Sequence, residues 1–244
     1  MSDRRPIRGP AGAGASAHAF VADLDVPVLE ADDHHHLTRV LRLRVGDRIT
    51  VGDGRGRWRL AVVTAESELE PVGPVEIEAA LEPAITIAFA LVKGERPEMV
   101  VQKLTEVGVD RIVPFAAERS VVRWDAERAK RNVVRLRRVA REAAMQCRRA
   151  RLPLVDEPVA FATAAALPGA AMADIGGARP GLDHPVVLAG PEGGWGPTER
   201  AAGLPTIDLG PHVLRAETAA VVAGTLLVAI RSRLVIPNLQ DHRA

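Results

Sequence analysis

The sequence predicts an α/β protein in which a small β-barrel precedes a domain with a mainly parallel sheet. Two observations carry this. Up to about residue 80, short apolar pieces are broken by Gly, Asp and Pro, the pattern of a barrel with tight turns. After Pro83, strand-like runs alternate with helical ones, and strands that alternate with helices pair in parallel. Composition agrees. The 244 residues are 47% hydrophobic and 26% charged, which excludes disordered and fibrous architectures.

Residues 1–17 are polar and rich in Gly and Ala, without the apolar centre of a secretory signal, and read as a flexible lead. Residues 18–80 form the barrel domain. Its strands are Ala19–Val21, Arg48–Val51, Trp58–Val63 and Val75–Ala79. Asp53-Gly54 between two alternating runs predicts a β-hairpin. His34–Leu43 places Leu37, Val40 and Leu41 at helical spacing. Residues 84–244 form the α/β domain. Ile85–Val92 is a continuous apolar strand, as expected where both sheet faces are covered. Pro97 opens a helix and Gly108 closes it. Arg111–Phe115 is the next strand. Ala126–Ala150 is a long helix with Val133, Leu136, Ala140, Ala143 and Cys147 on one face. Strands follow at Ala170–Ile175, Val186–Ala189 and Thr206–Leu209, with a helix from about Thr198 between the last two. Ala216–Leu234 is the final helix. Its apolar run Ala219–Ile230 is too short to cross a bilayer, so no membrane partner is expected.

The formal net charge of +1 excludes a uniformly basic surface, but not local patches. Arg119–Arg151 holds twelve Lys and Arg against three acids, and Arg39–Arg59 holds seven Arg against Asp47 and Asp53. A solvated helix face explains one such run. Two separate runs, one on each domain, favour a polyanion such as RNA or DNA. Arginine outnumbers lysine 29 to 3, and its planar fork suits phosphate. The lone Cys147 excludes an intrachain disulfide and fits a reducing cytoplasm. Adjacent His34, His35 and His36 share poor geometry for one metal, so no metal site is expected. Trp58, Trp124 and Trp195 suit either base stacking or packing.

Two loops follow strands at the carboxyl end, where open α/β sheets place ligands. The first is VVLAGPEGGWGPTE, with three glycines within Gly190–Gly194 and Glu199 as half of a capping box. It matches neither GxGxxG nor GxxxxGK[ST]. A ligand loop and a plain strand–helix turn both fit it. The second is IDLGPHVLRAETA. Glu217 and Thr218 suit a helix start, but a cation there opposes the dipole. Arg215 therefore needs an anionic ligand or a buried carboxylate nearby.

These motifs together resemble the ribosomal RNA small subunit methyltransferase E family, within the SPOUT superfamily. The resemblance is carried by HHLTRVLRLRVGDRITVGDGRG, LVKGERPEMVVQKLTEVGVDRIVPFAAERSVVRW, REAAMQCRRARLP, LAGPEGGWGPTE and LGPHVLRAETA, in the family's order and over nearly the whole chain after residue 18. It implies an N-terminal PUA-like β-barrel for RNA and a SPOUT-type domain with a deep trefoil knot. It implies a cytoplasmic homodimer that binds S-adenosyl-L-methionine and methylates N3 of a uridine in 16S rRNA of the assembled small subunit. Leu188, Gly190, Pro191, Glu192, Gly193 and Gly194 would form one wall of the cofactor site. Leu209, Gly210, Leu214, Arg215, Thr218 and Ala219 would form the other. Arg39, Arg42, Arg44, Arg57, Arg119 and Arg123 would meet rRNA. The N3 proton must leave, so Glu217 or Glu192 would be the base and Arg215 would stabilise the imide oxyanion. The chain departs from the family pattern at Trp195-Gly196, where Phe and Ser are typical, and at His18-Ala19, where an arginine usually precedes the aromatic. Two other readings are a ribose 2′-O methyltransferase of the same superfamily and a non-catalytic ribosome assembly factor. The methylated nucleoside separates the first, and cofactor binding the second.

Overall fold

The computed structural model describes residues 9–30, 43–65, 68–94 and 96–235. The chain forms two compact units. One joins residues up to Ala80 to Arg141–Leu152, and the other joins Leu81–Ala140 to Pro153 and beyond. The expected helix His34–Leu43, apart from Leu43, lies outside the described residues, as do Arg39, Arg42 and the histidine run. Within the expected lead, Gly9–Gly12 forms a 3-10 turn and Ala15 and Ala17 are buried.

The first unit is a four-stranded sheet of β1 (Ala17–Phe20), β2 (Arg48–Gly52), β3 (Arg57–Ala65) and β4 (Glu68–Ile77), in that order. β1 runs parallel to β2, and the other pairs are antiparallel. An antiparallel bridge from Val28 to Glu68 brings the chain after β1 to the opposite edge, which turns the sheet toward a barrel. The expected hairpin joins β2 to β3. The Asp53 carboxylate accepts from the amides of Arg55 (2.7 Å) and Arg57 (3.1 Å). Gly56 takes φ +103°, and a Cβ there would sit 2.5 Å from the Glu78 carbonyl. Phe20, Ile49, Val51 and Ala61 fill the core together with Ala144 and Met145.

His18 lies in this core at 2% exposure, edge-on to Phe20 and hydrogen-bonded through Nδ1 to Thr50 Oγ1 (2.9 Å). It therefore presents no charge to RNA. Burial lowers its pKa from 6.5 to about 4. The native state thus holds the ring neutral where the unfolded chain would protonate it. The stability this gives is complete above pH 6.5 and is lost as the pH falls toward 4. By pH 5 the loss is about 2 kcal/mol. Urea denaturation at pH 7 and pH 5 should show this drop in the wild type, and a drop smaller by about that amount in His18→Gln. Equal drops in both would sink the assignment.

The second unit is built on a parallel sheet in the order β11-β9-β10-β5-β6-β7. Its strands are β5 (Thr86–Ala90), β6 (Arg111–Ala116), β7 (Leu154–Val155), β8 (Val159–Ala160), β9 (Ala170–Ala178), β10 (Val186–Ala189) and β11 (Thr206–Ile207). β8 lies along β6 beyond the end of β7. The helices are α1 (Arg96–Val107), α2 (Ala126–Gln146), α3 (Phe161–Ala165), α4 (Pro197–Arg200) and α5 (Ala216–Arg231). β5 and β10 are buried at every position, which explains their unbroken apolar sequences. Leu104, Ile87, Val187 and Leu227 are among the residues of the main core. Arg231, at the end of α5, donates to the Asp110 carboxylate and to the carbonyls of Pro83 and Gly108, fixing that helix where a cation suits the dipole. Among the described residues, no helix is long and apolar enough to cross a membrane.

Several expectations need adjustment. β4 begins at Glu68 and ends at Ile77, where Val75–Ala79 was expected, and α5 ends at Arg231, not Leu234. α2 ends at Gln146, not Ala150, because Arg148 takes the left-handed φ of 57° and the Arg149 amide turns back to the Ala144 carbonyl. The helix near Thr198 is a single turn. β7, β8 and α3 were not expected. Strands of two residues carry no readable periodicity.

Candidate active site

From β5 the chain continues to β6 on one side, whereas β9, β10 and β11 lie on the other. The strand order thus reverses between β5 and β10, and open α/β sheets form a crevice outside the carboxyl ends of such a pair. The segments that leave these ends are Leu91–Gly94 and Gly190–Gly196. The loop after β11 completes the site.

A cleft of about 710 Å³, measured to its open mouth, lies here. Gly190, Pro191, Glu192, Gly194 and Trp195 form one wall, and Asp208–Gly210 and His212–Leu214 form the other. Ala216 and Ala219 of α5 and Ala173–Ile175 of β9 close it. Trp195 is buried. Its ring is stacked on Phe115 at 6.2 Å and 8°, and its Nε1 donates to the Ala173 carbonyl (3.0 Å). It is packing, not a stacking platform for a base. A Cβ on Gly190 would stand 2.9 Å from that ring, so only glycine lets the loop lie flat on it. The Trp195-Gly196 departure leaves the turn intact, because carboxylates replace the missing cap. Glu199 Oε2 accepts from the Gly196 amide (2.8 Å), its Oε1 from the Glu118 amide (2.9 Å), and Glu118 Oε2 from the Thr198 amide (3.2 Å).

Asp174, Glu192 and Asp208 line the cleft, but Arg200 and Arg96 pair with the first two, so Asp208 is the lining carboxylate held by amides instead of a cation. Asp208 accepts from the amides of Gly210 (2.9 Å) and Gly176 (3.0 Å), and these hydrogen bonds hold its carboxyl below the usual range. It is charged at neutral pH and ties its own loop to the end of β9. Asp174 pairs with Arg200 (2.7 Å). The apolar share of the lining, from Leu209, Val213, Leu214 and the two alanines, suits a flat ring.

The structure gathers Gly190, Pro191, Glu192, Gly194, Leu209, Gly210, Leu214 and Ala219 around the cleft, but not the other expected residues. Leu188 is fully buried in β10, and Arg215 and Thr218 are exposed and outside the lining. Gly193 faces a second hollow of about 350 Å³, lined by Leu91–Lys93, Arg119–Val122 and Pro191–Gly193. The two candidate bases share an arginine that sequence reasoning missed. Arg96 donates to Glu192 Oε1, and its Nε lies 3.7 Å from Glu217 Oε1. Glu217 is 7% exposed, and no described residue hydrogen-bonds its Oε2. The signal for Arg96 was its place just past the carboxyl end of the central strand.

Arg44 and Arg57 are exposed in the first unit, and Arg119 and Arg123 in the second. Arg119 also donates to the Gly193 carbonyl (3.2 Å). Other arginines of the basic run are structural. Arg135 pairs with Glu98 (3.1 Å), Arg137 with Glu157 (3.3 Å), and Arg151 binds the Glu78 carbonyl.

Residues 80–228 match an RNA methyltransferase domain model, and residues 29–70 match the PUA domain model of RNA methyltransferases. The chain is 34% identical to the ribosomal RNA small subunit methyltransferase E of Mycobacterium bovis, over 85% of this chain and 88% of that one. It is 29% identical to its counterpart in Bacillus subtilis, over 80% and 86%. The crystal structure of ribosomal RNA small subunit methyltransferase E from Neisseria gonorrhoeae bound to S-adenosyl methionine superimposes with a TM-score of 0.74 at 28% identity, over 88% of this chain and 97% of that one. A putative methyltransferase from Legionella pneumophila, in complex with the same cofactor, gives 0.75 at 25%, over 91% and 98%.

Proposed function

Because the chain belongs to the ribosomal RNA small subunit methyltransferase E family, we propose that it uses S-adenosylmethionine to methylate N3 of one uridine in 16S rRNA. The acidic cleft at the β5/β10 switch point carries this reading. A cofactor with a sulfonium, an ammonium and one carboxylate is net cationic, and of the carboxylates that line the walls Asp208 keeps its charge without a cationic partner among the described residues. The residues present fit the group. Backbone of Gly190–Gly194 and Leu209–Leu214 would hold the adenosine part, with Leu209, Leu214 and Ala219 against the ring. When bound, S-adenosylmethionine supplies an electrophilic methyl group that needs orientation more than activation. This chain's own residues then have two tasks.

The first is to take the N3 proton. Glu192 is the carboxylate that lines both the cleft and the second hollow, and Arg96 orients it. We assign it the base role. Glu217 lines neither and anchors Arg96 from the buried side. The second task is to stabilise the imide oxyanion, for which Arg215 at the head of α5 is the candidate, although it would have to reach in from an exposed place outside both hollows. N3 lies on a pairing edge, so the uridine must be unpaired or flipped out. The exposed Arg44, Arg57, Arg119 and Arg123 would meet rRNA phosphates of the assembled subunit. The trefoil knot, the homodimer and action in the cytoplasm belong to the same proposal. A monomer by light scattering at micromolar concentration would overturn the dimer.

The test is nucleoside mass spectrometry of 16S rRNA from a strain lacking the gene and from its parent. The expected result is loss of 3-methyluridine, restored by the wild-type gene but not by Gly190→Trp, whose ring collides with Trp195. Unchanged 3-methyluridine with loss of a 2′-O-methylated nucleoside would move the reading to ribose methylation.

A further inference from the structure

The second hollow shares Pro191 and Glu192 with the cleft, so the two adjoin at one loop. Its chemistry differs from that of the cleft. Leu91, Val92, Val121, Val122 and Pro191 give apolar walls. Lys93 and Arg119, both exposed, bring two cations against the single carboxylate of Glu192, which Arg96 already engages. Ser120 is 9% exposed, and no described residue hydrogen-bonds its Oγ. A buried hydroxyl without a partner destabilises the free protein, so its presence needs a reason outside the fold.

Resting on the function proposed above, we infer that this hollow receives the target nucleotide of the RNA. The base lies against the apolar walls, Lys93 and Arg119 hold the adjoining phosphate, and Ser120 Oγ, enclosed in the free protein, rotates to bond the polar edge of the base. The placement follows from the shared loop. The hollow and the cofactor cleft share Pro191 and Glu192 in their linings, so N3 of a base in the hollow would meet the methyl group past the edge of this loop, with Glu192 beside both. Arg119 also donates to the Gly193 carbonyl, and a Cβ on Gly193 would approach the Arg119 side chain to 3.2 Å. The loop and the phosphate-binding arginine are therefore fixed to each other.

The test uses the full chain, methyl-labelled S-adenosylmethionine, and small ribosomal subunits from the strain lacking the gene. Ser120→Ala should raise KM for subunits about three- to tenfold. Its cofactor affinity by calorimetry should be unchanged, and its unfolding midpoint unchanged or higher, since an unpaired hydroxyl has been removed. A hydroxyl with a merely structural role would lower that midpoint. Lys93→Gln should raise KM and reduce the slope of log affinity against log salt by about one, and Lys93→Arg should restore that slope. Wild-type KM and salt slope in both variants, or a lowered midpoint in Ser120→Ala, would overturn the assignment while methyl transfer persisted. Absence of any transfer by the wild-type chain would instead overturn the function on which the assignment rests.

Discussion

Glu199→Ala should destabilise the protein by about 3 kcal/mol, because a buried amide left without an acceptor costs about 1–3 kcal/mol and a part-buried one somewhat less. Two are at stake. Glu199 is 2% exposed, and its oxygens accept from the amides of Gly196 and Glu118. No other side chain at the head of α4 can substitute, since Gly196 has none and the Glu118 carboxylate already accepts from Thr198. The loss also reaches the cleft. Glu199 ties the loop that carries Gly190–Trp195 to the segment that follows β6, so cofactor affinity should fall with stability. Glu199→Gln separates the two oxygens. It keeps the shape and one acceptor, and turns the other toward an amide as a donor, so about half the loss should remain. Urea denaturation at pH 7 measures the first effect and calorimetric titration of S-adenosylmethionine the second. A loss below about 1 kcal/mol in Glu199→Ala would mean that water satisfies both amides.

The parts of this site that were legible in the sequence are those with local signals. Gly190–Gly194 after an unbroken apolar strand is such a signal, and so is Gly210-Pro211 before a long apolar helix. The capping role of Glu199 was also readable from its spacing to Gly196, but its second bond, to Glu118, was not, because that partner lies 81 residues away. Arg96 and Ser120 failed for the same reason. Each joins the site only because β5 pairs with β10 on one side and β6 on the other, and strand order is not written in local periodicity. The segment Arg141–Leu152 reads as a continuation of a helix in the second domain, yet Ala144 and Met145 pack in the core of the first unit. Apolar spacing shows that a face is buried, not against what. Leu188 has a related lesson. Its motif position suggested a ligand contact, and a strand covered on both faces leaves its side chain in the core, so such a contact would fall to its backbone.

Glu192→Gln should lower kcat by about 10²- to 10⁴-fold, the range for a positioned general base. Affinity for S-adenosylmethionine should change little, since the glutamine keeps the shape of the wall and Arg96 already offsets the Glu192 charge. The pH profile gives a second reading. Without a base, the reactive species is the uridine already deprotonated in solution. Below the pKa of N3, the rate of the variant should therefore rise about tenfold per pH unit. The wild type should depend on pH far less steeply. Glu217→Gln is the necessary companion. Glu217 lines neither hollow, and its nearer oxygen stands 3.7 Å from the Arg96 guanidinium. Losing that charge should cost less than tenfold in kcat, because Arg96 retains its hydrogen bond to Glu192. If instead Glu217→Gln abolishes transfer and Glu192→Gln turns over normally, the base sits at the head of α5. The uridine would then have to enter from the side of Ala216 and Ala219, and the second hollow would lose its claim to the target nucleotide along with Glu192. The pair of variants thus tests the base and the direction of substrate entry together.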